Sequence, residues 1–298
     1  MKNKNLFLTL CLMAMTVFSF AQVQKIDNLH VTTSAGIGTA TPVTSAALDI
    51  TSTTQGFLPP RMNKVQMYAI TDVEGLMLYC TDCVPKGIYV NDGFNFLNRN
   101  GVPSNFLAGD VYSPGTGQVW MDKNLGATQV ATSSTDVDSY GDLYQWGRNT
   151  DGHEIRTSTA TLGPVPAGAE GSDFITNSTT PNDWLTTQDD TRWNGATKGA
   201  EDPCPTGYRV PTETELNNER LTFSSNNAAG AFASALKLPV GGYRYLTNGV
   251  LDQVGSSGRY WSSTVNGTNA SYMLFNSVDA LTNIDYRSNA FSVRCIKE

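Results

Sequence analysis

The stretch Gly241-Gly242-Tyr243-Arg244, continuing through Tyr260-Trp261-Ser262-Ser263-Thr264 to Phe291-Ser292-Val293-Arg294-Cys295-Ile296, sets large apolar anchors among small polar residues. Trp261, Met273, Phe275, Phe291 and Val293 supply what a sheet core needs, and Asn248-Gly249, Gly255, Gly258 and Asn266-Gly267 supply the turns. Between these anchors lie Tyr245, Leu246, Asn266, Ser271, Tyr272, Leu274, Asn276, Asp279, Asn283, Asp285, Tyr286 and Ser288. Tyr, Ser and Asn suit binding surfaces, because Tyr gives rigid amphipathic contact area and the small polar groups adapt their hydrogen bonds. The region reads as a fixed frame carrying display residues, which points to ligand binding rather than catalysis. A solvated sheet face with its turns is the plainer account of the same composition.

At the other end, Lys2 and Lys4 precede an uncharged, mainly apolar run from Leu6 to Phe20 that closes on Ser19-Phe20-Ala21. This is the pattern of a secretory signal peptide over residues 1–21, too short and wrongly flanked for a membrane-spanning helix. Cys11 follows Leu10 in mid-run, which argues against a lipid anchor. The expectation is an exported protein, secreted or held at a cell surface, with no membrane insertion. The net charge of −7 becomes −9 once Lys2 and Lys4 are removed, and no Lys/Arg cluster is present, so nucleic acid is not an expected partner.

The remaining length suits two domains. From Val23 to Ala46 the chain is Thr, Ser, Ala, Gly and Val, with Gly36-Ile37-Gly38-Thr39-Ala40-Thr41-Pro42 breaking short β-prone pieces. Such pieces bury little alone and gain stability by association, so residues 22–100 read as a β-rich stalk or assembly segment. Gly75 to Cys80 and Gly87 to Gly93 read as a hairpin with Cys80 and Cys83 at its turn, and Asn98 to Phe106 reads as the linker. Beyond it, Val119-Trp120-Met121-Asp122 is a strand. Tyr140 to Trp146 is a helix candidate, Thr212-Glu213-Thr214-Glu215 is a capping box opening a helix over Glu213 to Leu221, and a weaker helix covers Asn227 to Leu236. Thr157 to Ala200 reads as a long ordered loop.

Candidate chemistry is sparse. Cys80 and Cys83 lack the further ligands that a zinc site requires, and they lie in strand-rich sequence rather than at a helix start. Four cysteines come after the leader, two in each expected domain, so the expected disulfides are Cys80 with Cys83 and Cys204 with Cys295. His30 and His153 fall in different domains, which leaves no multi-His metal site or His-based triad. Asp136, Asp138 and Asp142 are spaced for a cation but lack the full calcium-loop pattern. No cofactor and no metal is expected. Trp120, Trp146 and Trp261 read as core, whereas Trp184 and Trp193 sit in polar loop sequence where they cover an edge or meet a ligand.

Two resemblances add to this reading. Ser45-Ala46-Ala47-Leu48-Asp49-Ile50 through Gly56-Phe57-Leu58-Pro59-Pro60-Arg61-Met62 resembles an N-terminal segment of exported Bacteroidetes proteins akin to tail-fibre attachment modules, which implies a homotrimeric base over about residues 30–100. Val119 to Leu125, Tyr140 to Arg148, Asp202 to Thr212, Tyr260 to Thr264 and Phe291 to Cys295 together resemble the Fibrobacter succinogenes major paralogous domain over residues 108–298. That family is similar to C-type-lectin-like folds, an α+β arrangement of two main helices and twisted antiparallel strands. Its relatives include variable proteins of diversity-generating retroelements. The resemblance implies a receptor or adhesin-like surface at Tyr245, Leu246, Ser271, Tyr272, Leu274, Asn276, Asp279, Asn283, Asp285, Tyr286 and Ser288, facing a protein or cell-surface ligand. The alternative is a structural cell-surface or fibre subunit. Tyr208 to Glu215 also resembles formylglycine-generating enzymes, but their reactive cysteine pair has no free counterpart here.

Overall fold

The computed structural model of the protein describes residue 31 and residues 33–298, apart from Val84, Pro85, Asn100, Val102, Asn105, Ala108 and Asn194. The expected leader and His30 lie outside the described residues. The chain divides into two compact units, Met1–Leu58 and Pro59–Glu298. In the first, strands β1 (Ala35–Ile37) and β2 (Leu48–Ile50) pair in parallel, with Ile37, Leu48 and Ile50 exposed.

The second unit opens with a four-stranded sheet in the order β3-β4-β5-β6, formed by Arg61–Met62, Met77–Cys80, Gly87–Asn91 and Phe96–Asn98. Strands β4 and β5 form the expected antiparallel hairpin, and Cys80–Cys83 closes its turn. A short helix α1 (Lys64–Tyr68), started by an Asn63/Gln66 capping box, lays Met67 on one face of this sheet beside Leu78, Tyr89 and Phe96. The expected break at Asn98 to Phe106 does not separate compact units. Tyr112 Oη donates to Asp92 Oδ2 at 3.2 Å and Asn95 Nδ2 to the Gly117 carbonyl at 3.5 Å, so hydrogen bonds tie this sheet to the next hairpin of the chain.

Three larger sheets and one two-stranded pair build the rest of the described residues. Strands β7 (Asp110–Ser113) and β8 (Gln118–Met121) join β12 (Tyr208–Arg209) and β19 (Ile296–Lys297) in the order β12-β19-β8-β7. Strands β9 (Tyr144–Gln145), β13 (Tyr243–Arg244), β14 (Leu251–Asp252) and β18 (Ala290–Phe291) form β14-β13-β18-β9. The longest strands, β15 (Gly258–Asn266), β16 (Asn269–Phe275) and β17 (Ala280–Tyr286), form an antiparallel meander that turns at Gly267 with a positive φ of 58°. Among the described residues between Thr157 and Ala200, the short parallel pair β10 (Ala160–Leu162) and β11 (Phe174–Thr176) interrupts the expected loop.

Helix α2 (Glu213–Leu221) starts at Thr212 with the expected capping box, and α3 (Ala228–Ala233) starts at Asn227, whose side chain accepts from Ala229 and Gly230 N–H. The chain is thus α+β and rich in strand. The helix expected over Tyr140 to Trp146 does not form. A 3-10 turn covers Val137–Ser139, Gly141 takes a φ of +67°, and Tyr144 and Gln145 pair with Phe291 and Ala290 instead. Sheet pairing with β18 therefore outweighed the local i, i+3 apolar spacing. Among the described residues no helix is long and apolar enough to cross a membrane.

The meander separates two cores. Tyr260, Met273 and Phe275 face Trp120, Leu216, Leu238 and Ile296, while Trp261, Ala270 and Tyr272 face Trp146, Trp193, Tyr243, Phe291 and Val293. Trp261 stacks on Phe291 with centroids 4.1 Å apart, and both are fully buried. Trp184 and Trp193 are buried as well; their indole N–H groups donate to the carbonyls of Trp146 at 2.8 Å and Glu201 at 2.9 Å. Cys204 is joined to Cys295 across a separation of 91 residues.

These contacts set two outcomes for equilibrium urea unfolding. Trp261→Ala or Phe291→Ala should lose about 3 to 5 kcal/mol, since each leaves a large cavity. Replacing both Cys204 and Cys295 by Ala should lose about 4 kcal/mol, because the bridge restrains a long loop of the unfolded chain. Unchanged unfolding midpoints would contradict the placement of these side chains.

Candidate recognition surface

Pairing fixes which residues share a face of the meander, because successive strand residues point to opposite sides. Arg259 lies opposite Leu274, which lies opposite Leu281; Trp261 lies opposite Tyr272, which lies opposite Asn283; and Ala270 lies opposite Asp285. This face carries the expected positions Tyr272, Leu274, Asn283 and Asp285. Asn269 lies opposite Tyr286 and Ser271 opposite Ile284, so Tyr286 and Ser271 belong to the other face. The display positions do not form one continuous surface.

Four of them are not displayed at all. Leu246, Ser271, Tyr272 and Ser288 are buried, which corrects their reading as surface contacts. Tyr272 fills the core beside Phe291, with centroids 4.7 Å apart. The Ser271 carbonyl accepts from Ser262 Oγ at 2.8 Å, and the Ser288 carbonyl accepts from Gln145 Nε2 at 2.8 Å. Leu246 N–H donates to Asn289 Oδ1 at 2.9 Å. Composition alone did not separate inward from outward residues here, because β16 runs between two cores and buries both of its faces, while Leu246 and Ser288 lie in turns that have no steady period. Asn276 and Asp279 are half-buried and build a turn: Asn276 Oδ1 accepts from Val278 N–H at 2.7 Å and Asp279 N–H at 3.1 Å. Tyr245, Asn283 and Tyr286 are exposed, and Leu274 and Asp285 are half-buried.

The centre of this region is a residue that sequence reading passed over. The Arg259 guanidinium lies 3.9 Å from the Tyr243 ring centroid and 5.4 Å from that of Phe291. Its Nη1 reaches Asp285 Oδ2 at 3.3 Å and its Nη2 donates to Gln253 Oε1 at 3.2 Å. Asp285 in turn accepts from Asn289 Nδ2 at 2.8 Å, and Tyr243 Oη donates to Asp252 Oδ2 at 2.9 Å. Burial raises the Asp285 carboxyl above the usual range although Arg259 pulls the other way, and burial pushes the Tyr243 phenol up to about 12. The available signal was Arg259 itself, a charge beside Tyr260-Trp261 in an otherwise apolar frame. The arrangement offers phenol, amide and carboxylate groups on a rigid base, and these suit non-covalent contact.

The other clusters serve the fold. Asp136 binds its own loop through Thr132 and Gln129, and it does not converge with Asp138 and Asp142. Asp151, His153 and Glu154 do lie together. His153 is fully buried, though, with Nδ1 2.6 Å from Asp151 Oδ1 and Nε2 accepting the Gln145 N–H at 3.0 Å, so both ring nitrogens are committed. In the C-terminal region Cys204 and Cys295 are joined, which leaves neither as a free thiol for an oxidase of the formylglycine-generating kind.

Residues 36–107 match the family of phage tail like trimerisation regions. Comparison with curated proteins found no match, and comparison with solved structures found none. The matched region, with its paired short strands and clipped hairpin, points to a structural protein of fibre-like or adhesin-like kind.

Burial raises the Asp142 carboxyl to about 6, with the charge of Glu154 adding to the effect. A raised native value means that the folded chain holds a proton there which the unfolded chain releases, so this contribution to stability is lost as the pH rises through about 6. Asp142→Asn should therefore raise the melting temperature at pH 8 and change it little at pH 3.5, below the unfolded carboxyl value of 3.8. Equal shifts at both pH values would contradict this account.

Proposed function

We propose that the chain is a structural subunit of a fibre or adhesin, joined as a homotrimer through residues 36–107 and carrying residues 108–298 as a head. The match of residues 36–107 to a trimerisation family is the observation that carries the reading. Export by the leader over residues 1–21 accounts for cysteines held as disulfides, which persist outside the cytoplasm. The mature chain purified from an oxidising host should have the mass of three protomers by light scattering. A single-protomer mass at micromolar concentration would overturn the reading.

Recognition of a protein or cell-surface ligand is the finer part of the proposal, and the Arg259 arrangement favours it. A guanidinium fixed under Tyr243 and against the half-buried Asp285 holds an edge with the exposed Tyr245 and Asn283 in one geometry before any ligand arrives. The C-type-lectin-like assignment and diversification by a retroelement rest on the resemblance of residues 108–298; an adjacent reverse transcriptase gene with a near-identical template repeat would support the latter. Tyr245→Ala with Asn283→Ala should shift stability by less than about 0.5 kcal/mol, as exposed substitutions do. The same pair should weaken adhesion to a panel of immobilised cell-surface proteins and whole bacteria, while Tyr286→Ala on the opposite face should not. Adhesion unaffected by the pair would remove this surface from the proposal.

A further inference from the structure

The sheet β3-β4-β5-β6 covers one face and leaves the other bare. Register places Met77 opposite Val90 and Val90 opposite Leu97; in a second row Arg61 lies opposite Tyr79 and Tyr79 opposite Ile88. Directly paired residues share a face, so these rows form one continuous outer surface. The alternate residues Leu78, Cys80, Tyr89 and Phe96 point the other way, into the cluster with Met67. On the outer rows Met77 is 41% exposed, Ile88 47% and Val90 41%. A sheet with one wet face normally alternates apolar inside with polar outside, whereas here both faces are apolar. Contiguous exposed apolar surface of this kind marks a contact.

We propose that this outer face, centred on Ile88 and Val90, is where copies of the chain meet in the homotrimer. The inference rests on the trimeric reading above and adds to it the side chains that make the contact. Two observations select a second copy of this chain as the occupant. All four strands fall inside residues 36–107, the segment matched to a trimerisation region. Moreover, the paired rows carry no carboxylate and only one charge, Arg61, in a chain with 27 acidic against 20 basic residues. Like-charged copies of an acidic surface would repel, but an apolar surface can meet its own copies around a rotation axis. Because β4 and β5 are inner strands with both edges paired, the contact is made by side chains and not by adding a strand.

The test compares the mature chain with the double variant Ile88→Glu/Val90→Glu by light scattering and circular dichroism. The expected result is a threefold loss of mass with an unchanged spectrum, since both positions are exposed in the single chain. A wild-type chain that is itself a monomer refutes the trimeric reading, and this face with it. A wild-type trimer whose variant stays trimeric refutes the face alone. Should the variant fail to fold, a nitroxide on Val90→Cys decides: dipolar broadening in the trimer, removed by mixing with excess unlabelled chain, supports the face, and its absence overturns it.

Discussion

The region of residues 108–298 is held together by buried guanidinium groups. Its strands are short and many of its turns are irregular, so numerous backbone carbonyls lie in the interior with no ladder partner, and each would be costly left unbonded. Arginine side chains reach them. Arg294 donates to the Leu236 carbonyl at 2.7 Å, the Met121 carbonyl at 3.3 Å and Asn124 Oδ1 at 2.9 Å. Arg244 binds the carbonyls of Gly249 at 2.8 Å and Ser158 at 2.9 Å and lies over Phe174. Arg148 holds the carbonyls of Asp173 and Gly171, and Arg287 sits 4.3 Å over Trp146 while bound to Asp190. Burial lowers Arg294 to about 10, which still leaves it charged at neutral pH. A planar fork with five donors suits this work in a way that lysine would not.

The same device stiffens the proposed recognition surface. Arg259 is the outermost of these arginines, stacked on Tyr243 and bound to Asp285 and Gln253. It ties the meander that carries Asn283 and Asp285 to Tyr243 of the neighbouring sheet.

Much of the frame was legible. The Thr212 capping box, the β4–β5 hairpin, both disulfides and the burial of Trp261, Phe291 and Val293 accord with local rules of spacing, capping and cysteine count. What escaped was long-range. Tyr140 to Trp146 looked helical because its partner, β18, lies far along the chain, and Trp184 and Trp193 were left between covering an edge and meeting a ligand because the arginines stacked on Trp184 and the carbonyls that receive the two indoles are not adjacent in sequence. Leu246, Ser271, Tyr272 and Ser288 were misread for the same reason: a small polar or aromatic residue shows which way it points only once its neighbours are in place. Arg259 was overlooked because a single charge has no period.

The position of β19 has a consequence for how the head is made. Ile296 and Lys297 pair with β12 on one side and Ile296 with Trp120 of β8 on the other, so the last strand fills the middle of a sheet whose flanking members were synthesised long before. Until Ile296 emerges, β8 and β12 have open edges, Cys204 has no sulfur to join, and Arg294 is not there to bind Asn124. A chain lacking Cys295 and β19 would leave this sheet divided and Cys204 without its native partner. Topology thus makes β19 the keystone of this sheet, joining strands that lie far apart in the chain.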